Sequence, residues 1–267
     1  GTDRPAAAEL MSFKVVIPAR YASTRLPAKA LADIAGRPMV QWVVAAAEQS
    51  RADEVLVATD DARVAAAALG RSGRNVGVMT SADHQSGTDR IAEVAAQRQW
   101  SDDTIVVNVQ GDEPRLPAVL IDQVADLLAR TPDADLATLC TPITSIREFL
   151  DPNVVKVVTA RGSLALYFSR APIPWHRDAA PAGLTSQTSI LGAQRHLGIY
   201  AYRVAALRAL TAMAPSDLEV TEKLEQLRAL QAGMKIAVGI ASEVPGVGVD
   251  TPEDLERVRA QFAGMAI

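Results

Sequence analysis

Three fixed positive charges, Arg20, Arg25 and Lys29, stand in one short segment directly behind the apolar run Val15-Val-Ile-Pro18. A bound polyphosphate needs several cationic donors at once, and this grouping suits one. The segment has the glycine spacing of neither a Walker loop nor a dinucleotide fingerprint, so side chains rather than bare backbone would hold the phosphates. Taken alone, the same residues serve equally well as a basic surface loop. Carboxylates supply the counterpart. The run Thr104-Ile-Val-Val-Asn-Val-Gln110 leads straight into Gly111-Asp112-Glu113-Pro114. Asp112, at a strand tip, suits Mg2+, which takes one or two carboxylates and completes its shell with phosphate and water. An ordinary Asp-x-Pro turn is the plainer use of that residue. In Val247-Gly-Val-Asp250-Thr-Pro-Glu-Asp254, Thr251 and Asp254 can cap a closing helix with Pro252 at its first position. Capping leaves Asp250 unexplained, and it can serve as a second metal ligand.

Those residues need a frame. Strand patterns over 14–17, 54–59, 75–79, 104–110 and 135–141 alternate with helical patterns near 38–50, 61–72, 87–99 and 118–131. That order calls for an α/β fold, a largely parallel, doubly wound sheet with helices on both faces. Ligands of such sheets sit beyond the carboxyl ends of the strands, which is where Arg20, Lys29 and Asp112 fall. From residue 153 the pattern changes to β-type runs over 154–159, 164–168 and 196–202. A helix over 217–231, a strand over 235–240 and a helix over 251–260 follow. No internal repeat or low-complexity linker marks a domain boundary, and 267 residues can bury a full core as one domain. The formal charge of −4 argues against a nucleic-acid or anionic-membrane surface. A single cysteine, Cys140, leaves no internal disulfide and suits a reducing compartment; its apolar neighbours make it a buried thiol rather than a nucleophile. No apolar run approaches about 20 residues, so no transmembrane span is expected. Gly1 to Leu10 is Ala-rich, lacks the basic and long apolar parts of a signal peptide, and is expected to be a disordered leader.

Several motifs then occur in one order without large gaps. They are I-P-A-R-Y-A-S-T-R-L-P-A-K (Ile17 to Lys29), D-H-Q-S-G-T-D-R (Asp83 to Arg90) and V-N-V-Q-G-D-E-P (Val107 to Pro114). Y-F-S-R-A-P-I-P-W (Tyr167 to Trp175), R-H-L-G-I-Y (Arg195 to Tyr200), L-E-Q-L-R (Leu224 to Arg228) and G-V-D-T-P-E-D-L (Gly248 to Leu255) continue the series. From about Met11 to its end the chain resembles the CMP-Kdo synthetases, the 3-deoxy-manno-octulosonate (Kdo) cytidylyltransferases. The resemblance implies a nucleotide-diphospho-sugar transferase fold whose smaller mixed β region forms the sugar pocket and a homodimer surface. On that reading about 11–150 is the nucleotide-binding part, about 151–249 the sugar and dimer part, and 250–267 the closing helix. The chain departs from the family pattern at Ala28 and Ala30, where Gly and Pro are usual; if position 28 needs a positive φ, Ala28 adds strain. Residues 178–194 match poorly and read as a variable loop.

The same resemblance implies residue roles. Arg20, Ser23, Arg25 and Lys29 would hold the triphosphate of CTP, with Asp112 and Asp250 on Mg2+. Ser86, Gly87 and Arg90 would face the nucleotide, as would Gln110, whose amide at a strand tip could equally read the sugar, although Ser86 or Thr88 alone reads as a helix cap. Arg170 would pair with the Kdo carboxylate, and His196, Tyr200, Glu222 and Gln226 would bind the sugar. Residues 196 and 200 share one strand face, and 222 and 226 would be i, i+4 neighbours on one helix. Without the resemblance, His196 is a core or surface histidine, and Glu222 and Gln226 are a solvated helix face. The implied reaction is Mg-dependent transfer of CMP from CTP to Kdo in the cytoplasm, for lipopolysaccharide synthesis. A CMP-sialic acid synthetase is the nearest alternative, and a catalytically silent nucleotide-binding regulator the more distant one.

Overall fold

Alternation of buried β-branched residues opens the structure. In β1 (Phe13–Pro18), Val15 and Ile17 enter one apolar layer and Val16 the other, all fully buried. A strand that is apolar on both faces must be covered on both. The computed structural model describes residues 12–22, 26–180, 182–246 and 248–264, and the expected leader lies outside them. After β1 come the short hairpin β2 (Asp33–Ile34) and β3 (Arg37–Pro38), α1 (Met39–Ala47), β4 (Glu54–Thr59) and α2 (Ala62–Ala67). β5 (Gly77–Met79), α3 (Gly87–Gln97), β6 (Ile105–Asn108) and α4 (Ala118–Ala129) complete the first half. The second half holds β7 (Leu136–Pro142), α5 (Ile146–Leu150), β8 (Lys156–Thr159), β9 (Ala165–Ser169) and β10 (Gln194–Arg203). It ends with α6 (Val204–Thr211), α7 (Asp217–Glu222), α8 (Gln226–Gln231), β11 (Ile236–Ile240) and α9 (Pro252–Ala263).

The sheet order is β11-β7-β10-β6-β1-β4-β5. β5, β4, β1 and β6 are parallel, as are β7 and β11. β10 enters antiparallel between β6 and β7, and β8 with β9 extends from it as an antiparallel ribbon. α1, α2 and α4 bury their apolar sides in one layer, and α3, α6 and α8 in the other. This is the expected doubly wound α/β sheet with its smaller mixed β region. α9 packs Leu255, Val258 and Phe262 against Ile34, Met39 and Trp42, bringing the end of the chain back to its beginning. No helix among the described residues is long and apolar enough to cross a membrane.

Two expectations need correction. The helix expected over 217–231 is two helices, because Lys223 adopts a left-handed φ of 54° and Leu224 turns into the core. Glu222 and Gln226 therefore share no helix face. α5 is too short to show a helical period, and α6 follows β10 without a break, so both were hidden in the β-type reading of this region. The variable loop is a loop as expected: among its described residues it holds the short 3-10 turns Arg177–Ala179 and Leu184–Ser186 before β10 begins.

Candidate active site

The parallel neighbours β1 and β6 open at their carboxyl ends into a cavity of about 340 Å³. Arg20 comes from the end of β1, Lys29 from the 3-10 turn Lys29–Leu31, and Gln110 and Asp112 from the end of β6. Ser86 and Gly87 enter from the start of α3, and Asp250 from the segment before α9. Close packing on Pro18 draws these loops together. A Cβ on Gly111 would fall 2.8 Å from the Pro18 carbonyl oxygen, and one on Gly87 would fall 3.0 Å from the Pro18 ring. The Gly111 loop could not lie so close with a side chain at that point, and at Gly87 the Pro18 ring would have to give by a few tenths of an ångström. Ser23 and Arg25 lie outside the described residues.

Lys29 Nζ donates to Asp112 Oδ2 at 2.7 Å and to Asp250 Oδ1 at 3.2 Å, so two carboxylates far apart in the chain converge on one cation. Asp250 is set by the cap of α9: its backbone N–H and that of Thr251 both donate to Asp254 Oδ2, at 3.1 and 2.9 Å. Ala28, just before Lys29, has φ 55° and ψ 31°, so the departure from the family pattern falls on a left-handed position. Arg90 lines the cavity, yet its buried guanidinium is turned to Asp60 Oδ2 at 2.8 Å and to Thr80 Oγ1 and the Ser81 carbonyl at 2.9 Å. It ties the ends of β4 and β5 to α3.

Beyond Gln110 lies a second cavity of about 210 Å³, walled by His196, Tyr200, Tyr202 and Gln226. His196 and Tyr200 share one face of β10, with ring centroids 5.3 Å apart between Phe168 and Tyr202. The pairing of β10 with β7 shifts between Leu197 and Tyr200. The Thr138 hydroxyl fills that irregularity, 3.0 Å from His196 Nε2 and 2.7 Å from the Ile199 carbonyl. His196 keeps part of its surface on the cavities, but desolvation pushes its pKa down to about 3, so the ring is neutral. Burial likewise drives the Tyr200 hydroxyl well above its ordinary value. Asn108, Tyr200 and Gln226 line this space, and each carries a buried polar atom (Asn108 Oδ1, the Tyr200 hydroxyl, Gln226 Nε2) that makes no close hydrogen bond. Buried polar atoms are rarely left so.

Sequence reasoning missed Glu225. Its carboxylate accepts the Thr88 hydroxyl at 2.8 Å and the Ser86 hydroxyl at 3.2 Å, while Ser86 Oγ also accepts the Asp89 N–H as the cap of α3. Burial raises the pKa of this carboxyl and the two hydroxyls oppose the rise. The signal was within L-E-Q-L-R, one residue before Gln226. Glu113 was missed too: burial first, then the Asp112 charge, pushes it up to about 7. Arg170 and Glu222 line neither cavity. Arg170 Nε donates to the Glu222 carbonyl at 2.7 Å, and the Glu222 carboxylate accepts Ser169 Oγ at 2.6 Å and the Arg170 N–H at 2.9 Å. Beneath them the fully buried Lys156 ammonium donates to the carbonyls of Asp151, Val154 and Arg170. Cys140 is a buried thiol with its pKa raised to about 11, as expected of a structural cysteine.

Residues 14–236 match the model of a family described as cytidylyltransferase. The chain is 55% identical over 248 residues to the 3-deoxy-manno-octulosonate cytidylyltransferase of Thioalkalivibrio sulfidiphilus (strain HL-EbGR7), covering 93% of this chain and 98% of that protein. Among solved structures it is similar to a CMP:2-keto-3-deoxy-manno-octonic acid synthetase complexed with CTP, with a TM-score of 0.84 and 41% identity over 95% of this chain and 99% of that one. A cytidylyltransferase from Leptospira borgpetersenii, 15% identical at a TM-score of 0.57 over 95% of this chain and 87% of that one, shares the fold.

Proposed function

Because the chain belongs to the cytidylyltransferase family, we propose that it transfers CMP from CTP to the C2 hydroxyl of Kdo, giving CMP-Kdo and pyrophosphate. One observation carries this reading beyond the family. Asn108, Tyr200 and Gln226, each with a buried polar atom in need of a partner, line a cavity that shares Gln110 with the cavity of Lys29 and the paired aspartates. A wall with so many polar side chains suits a polyhydroxylated sugar, whose hydroxyls can donate and accept, since a buried polar group left unpaired costs about 1–3 kcal/mol.

On this reading Arg20 and Lys29, with Ser23 and Arg25 of the same loop, neutralise the triphosphate, and Ser86, Gly87 and Gln110 face the cytidine. Arg90 braces that wall. Asp112 and Asp250 already converge on one ammonium, and an oxygen donor set of that kind fits a hard divalent cation, so this pair is assigned to Mg2+. When bound, Mg2+ offsets triphosphate charge and lowers the pKa of the sugar hydroxyl. His196, Tyr200, Gln226 and Glu225 orient Kdo by hydrogen bonds, and the neutral His196 serves as a bonding group rather than as an acid or base. Arg170 and Glu222 brace the end of β9. The C2 hydroxyl gives up its proton to solvent and its oxygen bonds to the α-phosphorus in line as the bond to pyrophosphate breaks, a transfer that depends mainly on positioning and charge neutralisation. The product serves lipopolysaccharide synthesis in the cytoplasm. A homodimer formed through the second half fits the edge strand β9, where Leu166 is 62% exposed.

Pyrophosphate release with CTP plus Kdo, set against CTP plus sialic acid, tests the reading. Turnover is expected with Kdo; turnover with sialic acid alone would transfer the chain to the sialic acid branch. Light scattering on the purified chain checks the dimer.

A further inference from the structure

We propose that Lys29 is a latch on the metal site: its ammonium holds the place between Asp112 and Asp250 until a nucleoside triphosphate draws it off, so that divalent metal loads with the nucleotide and not before it. The proposal rests on the assignment of metal to these two carboxylates. Lys29 Nζ is within hydrogen-bond distance of both, at 2.7 Å to Asp112 and 3.2 Å to Asp250. A Mg2+ ion would sit about 2.0–2.1 Å from any carboxylate oxygen that held it, so a metal held by Asp112 and Asp250 and the ammonium would claim overlapping space. They also carry like charge. The lysine side chain is only 19% exposed and that of Asp112 27%, so water screens this arm of the contact less than it would a surface ion pair, while the arm to Asp250, 47% exposed, is the weaker one. The same ammonium faces the cavity that Arg20 lines, where a triphosphate offers it a more highly charged partner. Moving there, Lys29 does two things at once: it meets the phosphates and withdraws its charge from the two carboxylates. Metal and nucleotide then raise each other's affinity, as linkage requires.

Mn2+ titration of the full chain without nucleotide, followed calorimetrically, tests the latch. Wild type should bind Mn2+ weaker than Lys29→Met on the order of tenfold or more, with Lys29→Gln as a second variant should the first not fold. Adding α,β-methylene-CTP should tighten Mn2+ binding to the wild type by a similar factor and to the variants by much less. Nucleotide-free wild type that takes up Mn2+ as tightly as the variants would overturn the proposal. That result alongside turnover of CTP and Kdo would remove the latch alone. Loss of turnover with the binding difference intact would instead remove only the sugar assignment.

Discussion

Thr88 donates its hydroxyl to the Glu225 carboxylate at 2.8 Å, across 137 residues of chain. With Ser86 on the other carboxylate oxygen, this contact fastens the start of α3, beside the triphosphate cavity, to the start of α8, beside the sugar cavity. Glu225→Ala leaves two hydroxyls without their acceptor, which should cost about 1–3 kcal/mol of stability and weaken the use of both substrates. Thermal denaturation with kinetics in each substrate checks it; a loss of stability with unchanged kinetics would make Glu225 a brace only.

Asp112→Asn and Asp250→Asn should keep the fold and lower kcat by orders of magnitude, since each removes a charged metal ligand. Near-normal turnover of either variant at saturating Mg2+ would take that residue out of the mechanism.

Ala28→Gly tests the backbone beneath the latch. The left-handed φ of 55° costs an L-residue roughly 1–2 kcal/mol, while the extra freedom of glycine in the unfolded chain gives back about 0.5–1 kcal/mol. The variant should be neutral or more stable by up to about 1 kcal/mol in chemical denaturation. Clear destabilisation would contradict the left-handed turn.

His196 supplies a pH dependence. Its folded pKa lies below its ordinary 6.5, near 3, because burial disfavours the charged ring. As pH falls below 6.5 the unfolded chain takes up a proton that the folded chain refuses, so wild-type stability declines across that window. His196→Gln should lack this component, and the stability of the wild type relative to it should fall on acidification. An equal response of both proteins would show that His196 is accessible and titrates normally.

The parallel sheet, the carboxyl-edge loop and the pair Asp112 and Asp250 were legible because each is written in contiguous residues: an apolar run, a charge cluster, a cap with one aspartate left over. What escaped depended on single backbone angles and distant partners. Nothing around Lys223 spells a break, since the left-handed angle falls on a lysine with neither glycine nor proline beside it, and this error put Glu222 where Glu225 belongs. Arg170 was expected to seek a ligand anion, yet its Nε donates to a carbonyl 52 residues away. A charge in a sequence announces that it needs a partner, without saying which.

β10 has a further consequence for how the chain is made. Ala201 pairs with Val107 on one side and Ala137 on the other, so the strand that completes the middle of the sheet is made after both of its neighbours. During synthesis β6 and β7 cannot pair with each other in the native order, and each keeps an open, apolar edge of the kind that invites aggregation. The nascent chain carries these two edges until residue 203 has cleared the ribosome.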